Sequence, residues 1–217
     1  MTDSRSDKSV NPLGASGELA KSSMSSSHWQ QDRPFLSKVK GRLLRTYRKW
    51  FKEKHYVFVH RGPFELSRCL VCKVDQYRAV EDIPEVVRKF VRERSGERAF
   101  CRDQMELQDR AIVWVARIGE MPAGFLFARR GSDFRRWFVQ LSDHDYVFYR
   151  GRTYPEFRGR GVMPCLIAVA LHDVMNSNAA AYCDCVVSNH SSRRCIEKAG
   201  FQLIGTMKPI RREDALG

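Results

Sequence analysis

The sequence has no apolar run of about 18 residues, the length that a membrane-spanning helix needs. It also opens without the basic, apolar and small-residue pattern of a secretory signal. Acidic residues are few, since 25 Asp and Glu stand against 38 Lys and Arg and the net charge is +13. These features predict a cytoplasmic protein with anionic partners, and they leave nucleic acid, acidic lipid and a phosphorylated cofactor open.

A regular cysteine framework is missing as well. The seven cysteines are an odd number without a repeating spacing, which predicts reduced thiols rather than a disulfide scaffold. Cys69 and Cys72 have the spacing of half a zinc site, but no second CxxC or HxxxH pair accompanies them. We therefore expect these two side chains to pack in a core, and we predict no metal site.

Three parts of the chain differ in composition. Residues 1–33 are poor in large apolar side chains until Trp29, which predicts a disordered tail. Residues 34–54 carry eight Lys or Arg and one Glu, and their apolar side chains recur at helical spacing: Leu36, Val39, Leu43, Tyr47 and Trp50. Such a basic amphipathic helix can contact an acidic membrane surface or pack on its own domain, and nucleic acid is not favoured. Residues 55–217 are predicted to form one folded domain.

The apolar pattern of this domain predicts a mixed order of strands and helices. Alternation indicates strands over 56–60, 68–74, 145–153, 180–187 and 201–207, and a hairpin over 111–117 and 123–128. Helical periodicity indicates helices over 83–94, 97–110, 162–176 and 191–198. Asp82 is expected to cap the first helix, and Gly200 to end the last in a left-handed conformation. The strand–helix–strand unit predicts that 145–153 and 180–187 are parallel neighbours.

A glycine-rich turn joins the predicted strand 145–153 to the following helix. It reads Tyr-Pro-Glu-Phe-Arg-Gly-Arg-Gly-Val-Met over residues 154–163. Glycines let the backbone approach a ligand closely, and the first N–H groups of a helix point toward a bound anion. Arg158 and Arg160 add positive charge, and Pro164 suits an early helical position. The pattern is typical of a phosphate cradle, with an ordinary basic surface turn as the alternative.

This turn and a second motif downstream resemble the signatures of the GNAT superfamily of acyl-CoA-dependent N-acyltransferases. The family pattern Arg/Gln-x-x-Gly-x-Gly/Ala stands here as Arg158-Gly-Arg-Gly-Val-Met163. The family's Asn, short helix and Lys-x-Gly-Phe stand as Asn189, the following helix and Lys198-Ala-Gly-Phe201. The resemblance covers residues 69–207, and the chain is also similar to acyltransferases encoded among bacterial surface-polysaccharide enzymes.

The resemblance implies an α/β fold of the mixed α+β type. We expect a mixed sheet of six to seven strands, flanked by helices and splayed at its two central parallel strands. It also implies an N-acetyltransferase that moves an acetyl group from acetyl-CoA to the amine of a small molecule, for which an amino sugar is one candidate. Two alternatives stay open: a non-catalytic CoA-binding or interaction module, and a binder of acidic surfaces through residues 34–54.

The family's cofactor contacts carry over to particular positions. Backbone groups of Gly151 and Thr153 would bond the pantetheine arm, and one N–H there would polarise the thioester carbonyl. Asn189 and Ser192 would lie near the pantetheine and its thiol end. The pyrophosphate would be held by the turn and the helix start, formed by Arg158, Gly159, Arg160, Gly161, Val162 and Met163.

Two positions depart from the family pattern. Met163 replaces the usual Gly or Ala and narrows the approach to the phosphates. Ile196 stands where the family commonly has a Tyr that donates a proton to the leaving thiolate, and Ile cannot donate.

The attacking amine must lose a proton, and the sequence offers several acceptors. Glu156, Asp184 and Tyr149 are the candidate catalytic residues, with His190 behind them. Each also has a structural interpretation: a solvated turn residue for Glu156, an internal pairing for Asp184, sheet packing for Tyr149 and a helix cap for His190. For the acceptor substrate, Arg135, Arg136 and Trp137 can grip an anionic group and stack on a ring, or form a basic surface loop.

Overall fold

The computed structural model describes residues 54–66 and 71–209. The predictions for the tail, for the basic segment up to residue 53 and for Cys69 lie outside this part. Its strands are β1 (His55–Arg61), β2 (Lys73–Tyr77), β3 (Ile112–Ile118), β4 (Met121–Arg130), β5 (Tyr146–Thr153), β6 (Ala180–Val186) and β7 (Gln202–Met207). Its α-helices are α1 (Glu85–Ser95), α2 (Glu97–Gln108), α3 (Val162–Val174) and α4 (His190–Lys198).

All strands of the described residues join one sheet in the order β2-β3-β4-β5-β6-β1-β7. The β5–β6 pair is parallel, as predicted, because α3 carries the chain back across the sheet. The other neighbours are antiparallel. The predicted fold class is confirmed, and the sheet has an order that the sequence did not reveal: the first strand lies between the last two.

The predicted boundaries are wrong at two places. The strand placed at 68–74 begins instead at Lys73, where pairing with β3 brings the Asp75 carboxylate within 2.7 Å of the Arg117 guanidinium. Asp82 does not cap α1, because the extended residue before the helix is Pro84 and the cap makes no side-chain hydrogen bond. Gly200 does follow α4 with a positive φ of +86°.

Helices cover both faces of the sheet. On one face, α1 and α2 pack on β3 and β4. The side chains between these helices and strands enclose a small apolar cavity of about 50 Å³. Side chains alternate between the two faces of a strand, so Trp114 points to the opposite face, where its Nε1–H donates to Asp173 of α3 at 2.7 Å. Trp114 is fully buried, and this bond ties β3 to the helix that follows the glycine-rich turn.

The helices in the described part of the chain are all too short or too polar to cross a bilayer. Cys101, Cys183, Cys185 and Cys195 are free thiols. Cys165, buried on α3, is disulfide-bonded. The expectation of reduced thiols throughout is therefore wrong at Cys165.

Candidate functional site

The parallel pair β5–β6 is hydrogen-bonded over only part of its length. Ladder pairs join residues 146–148 of β5 to residues 181–183 of β6. Beyond them, β5 continues along β4 and β6 continues along β1, so the two strands part toward their carboxyl ends. The predicted splay is confirmed, and it opens the sheet at the edge where α/β proteins commonly bind ligands.

A β-bulge bends β5 at this opening. Phe127 faces Tyr149 and Phe125 faces Arg152, so three steps along β5 match two steps along β4. The extra residue is Arg150, whose φ of +54° is uncommon for any residue except glycine. The bulge leaves backbone groups of β5 without ladder partners, and such groups can bind a ligand.

Gly151 brings this backbone close to its neighbours. A Cβ atom at this position would lie 3.2 Å from Leu126 Cδ1 and from Met163 Sδ, so any larger residue would crowd the opening. Two residues on, the Thr153 carbonyl accepts a hydrogen bond from Arg158 Nε at 3.3 Å. This bond links the end of β5 to the glycine-rich turn.

Two acidic side chains of α2 hold the bulge from the other side. Arg150 donates to Glu106 at 2.9 Å and to Asp103. Glu106 is buried and also accepts from the Tyr149 hydroxyl and from Arg129, both at 2.9 Å. Burial raises the pKa of Asp103, and the Arg150 charge opposes that shift. This clamp, formed by Asp103, Glu106, Arg129, Tyr149 and Arg150, supports a backbone conformation that would otherwise be strained.

An inner cavity of about 310 Å³ lies between the parted strands. Its walls come from β5, β6, α3 and α4, and its lining includes Phe148, Tyr149, Gly151, Met163, Cys183, Asp184, Cys185, Asn189, Ser192, Cys195 and Ile196. An outer cleft of about 900 Å³ lies over the glycine-rich turn, lined among others by Gly151, Thr153, Arg158, Gly159, Gly161, Val162, Met163, Asn189, Ser192, Arg194 and Lys198. Because the two share lining residues, they form one continuous groove.

The outer cleft ends on the first turn of α3. Gly161 precedes the helix with a φ of +79°, and Gly159 has a φ of +77°. The first bond within the helix runs from the Cys165 N–H to the Gly161 carbonyl at 3.1 Å. The N–H groups of Val162 and Met163 come before that bond and have no partner within the helix. This arrangement suits a phosphate group.

Asn189 begins α4 at the wall that the two parts of the groove share. Its Oδ1 accepts from the Ser192 N–H at 3.1 Å, so the side-chain oxygen serves the helix cap. The amide NH₂ remains a donor, and both Asn189 and Ser192 line the groove as the resemblance implied. Of the other predicted cofactor residues, only Arg160 is absent from these linings, and its guanidinium lies 5.7 Å from the Phe157 ring centre.

The fold places two of the three predicted catalytic residues, Tyr149 and Asp184, in the lining of the inner cavity and the third, Glu156, outside the groove. Glu156 pairs with Arg94 at 2.6 Å and does not line the groove. Tyr149 lines the inner cavity, but its hydroxyl donates to Glu106, and burial followed by the Glu106 charge raises its pKa. Asp184 lines the inner cavity on β6, where its Oδ2 lies 2.5 Å from His55 Nδ1.

The predicted substrate residues lie outside the lining of the groove. Arg135 and Arg136 are exposed. Trp137 packs against Tyr182 of β6, with ring centres 5.5 Å apart, and against Phe138 at 5.1 Å. The next contact leads toward the groove, because the Phe138 ring centre is 5.6 Å from that of His55.

Sequence reasoning missed His55, Asp103 and Glu106. The two acids resemble solvated residues of an amphipathic helix when α2 is considered alone. His55 stands at the start of a strand, and its contact with Asp184 joins residues 129 positions apart. An acid within the apolar run 180–187 was the one signal available, since such a group needs a partner where it is withdrawn from water.

The sequence pattern of the Acetyltransferase (GNAT) family matches residues 77–201, which is more than half of the chain. The matched residues include the parallel strands β5 and β6, the glycine-rich turn between β5 and α3, and α4, and they leave out β1, β7 and most of β2. The chain belongs to the GNAT family of acetyltransferases. No curated protein shows significant sequence similarity to it.

Solved structures resemble the fold at low sequence identity. A GNAT-family acetyltransferase structure from Novosphingobium aromaticivorans is 16% identical, with a TM-score of 0.51 over 71% of this chain and 61% of that one. The chain therefore spans less than two thirds of that protein. AAC(6')-Iy, in complex with the bisubstrate analogue CoA-S-monomethyl-acetylneamine, is 19% identical, with a TM-score of 0.50 over 65% of this chain and 97% of that one. At these identities the likeness concerns the fold alone.

Proposed function

We propose that the protein transfers an acetyl group from acetyl-CoA to the amine of a small molecule, with both substrates bound at once. The observation that carries this proposal is the continuous groove, which passes from the anion cradle on α3 into the opening between β5 and β6. Its outer part matches a diphosphate in charge and its inner part matches a narrow, partly apolar pantetheine arm.

The predicted cofactor residues would contact different parts of acetyl-CoA along this groove. Gly151 and Thr153 would bond the pantetheine amides through their backbone, and Asn189 and Ser192 would face them from α4. The N–H groups of residues 159–163 would hold the diphosphate. Positive side chains around the outer cleft would add long-range attraction for the phosphates: Arg152, Arg158, Arg194 and Lys198.

The transfer itself would be direct. The amine lone pair attacks the thioester carbonyl carbon, the carbonyl π pair moves to oxygen, and collapse breaks the C–S bond. An ammonium acceptor loses two protons, one to a base before the attack and one to water after it, and the CoA thiolate takes one from water. A backbone N–H at the bulge would stabilise the oxyanion, and juxtaposition of the substrates would supply much of the rate.

A covalent acyl-enzyme is not part of the proposal. Burial raises the pKa of the Cys195 thiol to about 11, and burial with the Asp184 charge raises that of Cys185 to about 11. Both groups stay protonated near neutral pH, and thiols are poor nucleophiles compared with thiolates.

For the acceptor, we propose an amino sugar as the first class to test. AAC(6')-Iy was solved with an analogue that joins CoA to an acetylated neamine, which supports this choice on a shared fold. Arg135, Arg136 and Trp137 border the Phe138–His55 contact and are the proposed acceptor-side residues. A peripheral contact of residues 34–54 with an acidic membrane surface, a link to surface polysaccharides and a cytoplasmic location stay predictions.

The test is calorimetry with acetyl-CoA, followed by thiol release with a panel of glucosamine, neamine, spermidine and lysine. Gly161→Glu places a carboxylate in the cradle and is expected to weaken acetyl-CoA binding by about tenfold or more, equivalent to about 1.4 kcal/mol. Gly62→Glu is the matched control, since Gly62 also has a positive φ, of +81°, and open space around it but lies outside the groove lining. No acetyl-CoA binding to the unaltered protein would refute the proposal.

A second candidate is a CoA-binding module without turnover. Ile196 supports it, because this buried side chain lines the inner cavity and has no proton to donate. The two candidates differ in thiol release: bound acetyl-CoA that no amine of the panel converts to free CoA would favour the module.

A further inference from the structure

A histidine contacts Asp184, which is the only carboxylate among the described residues that line the inner cavity. Asp184 belongs to β6, just beyond the last ladder pair with β5, and its side chain is 23% exposed. His55 opens β1, and its Nδ1 lies 2.5 Å from Asp184 Oδ2. The pair stands at the point where the sheet opens.

The sheet order creates this contact. Because β1 inserts between β6 and β7, its antiparallel register sets His55 opposite Val186 and Val57 opposite Asp184. Residues two apart on a strand share a face, so His55 and Asp184 project to the same face as neighbours on a diagonal. Phe138 packs against the imidazole on that face.

The other titratable groups of the inner cavity are poor proton acceptors. Arg150 is a cation held by Asp103 and Glu106. Tyr149 donates its hydroxyl proton to Glu106. Burial raises the pKa of Cys183 well above its usual range, and the thiols of Cys185 and Cys195 titrate at about 11. Asp184 is the group that remains.

We infer that Asp184 is the general base of the transfer and that His55 positions it. This inference rests on the proposed function. With its Nδ1–H donated to Asp184 Oδ2, a neutral His55 holds the carboxylate and leaves Oδ1 for the acceptor. The ammonium form of the acceptor gives one proton to Oδ1, its nitrogen becomes a free amine, and attack on the thioester follows. Asp184 later returns the proton to water.

This arrangement predicts a dependence on pH. An imidazolium at His55 would bind the carboxylate through an ion pair instead of a neutral hydrogen bond and would hold it more tightly, so activity is expected to fall on the acid side. The charged groups on the elements around His55 are Asp184 on β6, Lys54 beside it in the chain, Lys208 after β7, Arg193 on α4, and Arg135 and Arg136 in the segment that carries Phe138. Of these groups, Asp184 is the one that the structure places in ionic contact with His55, at 2.5 Å.

The experiment measures kcat and KM against pH with acetyl-CoA and the amine of the panel that turns over fastest. Asp184→Asn is expected to lower kcat by about 100-fold or more, the usual contribution of a general base. His55→Leu should lower kcat by about tenfold. His55→Gln keeps an N–H donor but cannot titrate, so it should retain more activity than His55→Leu while its fall on the acid side departs from that of the wild type, because only protonation of the base then remains to cause it. KM for acetyl-CoA should stay within about twofold in all three.

His60→Gln is the matched control, because His60 lies at the other end of the same strand and bonds the Gly200 carbonyl at 3.3 Å. It should keep the wild-type profile. Wild-type kcat in Asp184→Asn, or an unchanged acid side in His55→Gln, would overturn the inference while leaving acetyl-CoA binding and turnover intact. If the unaltered protein binds acetyl-CoA but acetylates no amine, the proposed function fails and this inference fails with it. Should His55→Leu not fold, the other two variants decide.

Discussion

The two ends of the groove differ in the groups that form them, which are mainly backbone at the outer end and side chains at the inner end. The outer cleft lies over one continuous stretch of backbone, the glycine-rich turn and the start of α3, where Gly159, Gly161, Val162 and Met163 line it. The inner cavity is organised by side chains that four separate elements bring together: α2, β5, β6 and β1. Side-chain changes should therefore be tolerated in the cradle as long as its glycines remain, whereas single side chains should matter at the inner end.

The largest effect should come from removing the centre of the clamp. Glu106→Ala leaves Arg129 and Arg150 without their shared carboxylate, and Arg129 is only 5% exposed. Breaking a buried pair from one side costs about 3–5 kcal/mol, which urea unfolding would report as a lower free energy of unfolding. The exposed Glu93→Ala on the neighbouring helix should change little. Equal stability of the two variants would show that the clamp does not hold the inner end.

The next largest effect is expected in the reactivity of the buried Cys195 thiol compared with that of an exposed thiol. Burial raises the pKa of Cys195 from 9.0 to about 11, so at a given pH below 9 its thiolate fraction is about 100-fold lower than that of an ordinary thiol. The sign follows because burial penalises the charged form: alkylation by iodoacetamide should be slow at pH 8 and keep rising toward pH 11. The exposed Cys101 serves as the internal control. Rapid alkylation of Cys195 at pH 8, located by mass spectrometry, would contradict the burial of this thiol.

A smaller effect is expected from relaxing the bulge. Arg150→Gly accepts the positive φ without strain but loses the bonds to Glu106 and Asp103. If the clamp directs the backbone N–H toward the oxyanion, kcat should fall about tenfold while KM for acetyl-CoA changes little, because one weakened donor costs about 1.4 kcal/mol or more. Arg150→Lys keeps the charge, so its kcat should lie between that of the unaltered protein and that of Arg150→Gly. A change in KM alone would place Arg150 in cofactor binding instead.

The backbone of the outer end could be predicted from the sequence more readily than the side-chain contacts of the inner end, for a physical reason. Gly159 and Gly161 directly precede α3 in the chain. Both have a positive φ, a conformation that favours glycine, so the residue type itself indicates the turn. The parallel pairing of β5 and β6 also followed from local order, since a helical crossover separates them. The family resemblance added the splay and the cofactor positions.

The inner end depends on pairings that periodicity does not encode. The place of β1 between β6 and β7 is set by long-range hydrogen bonds, so the role of His55 could not be derived from its neighbours. Glu156 illustrates the opposite error: it lies within the glycine-rich segment, yet its carboxylate turns to Arg94 on α1. Nearness in sequence to the cradle did not mean nearness to the reacting atoms.

The position of β1 also bears on how the chain is made. A ribosome delivers β1 before the five strands from β2 to β6, yet its two partners, β6 and β7, emerge last. Until residue 207 has left the exit tunnel, β1 lacks its β7 partner and keeps one edge unpaired. Nascent protein should thus complete its sheet only in the final stage of synthesis, and a stop codon just before β7 should release a polypeptide whose sheet is missing an outer strand and exposes β1.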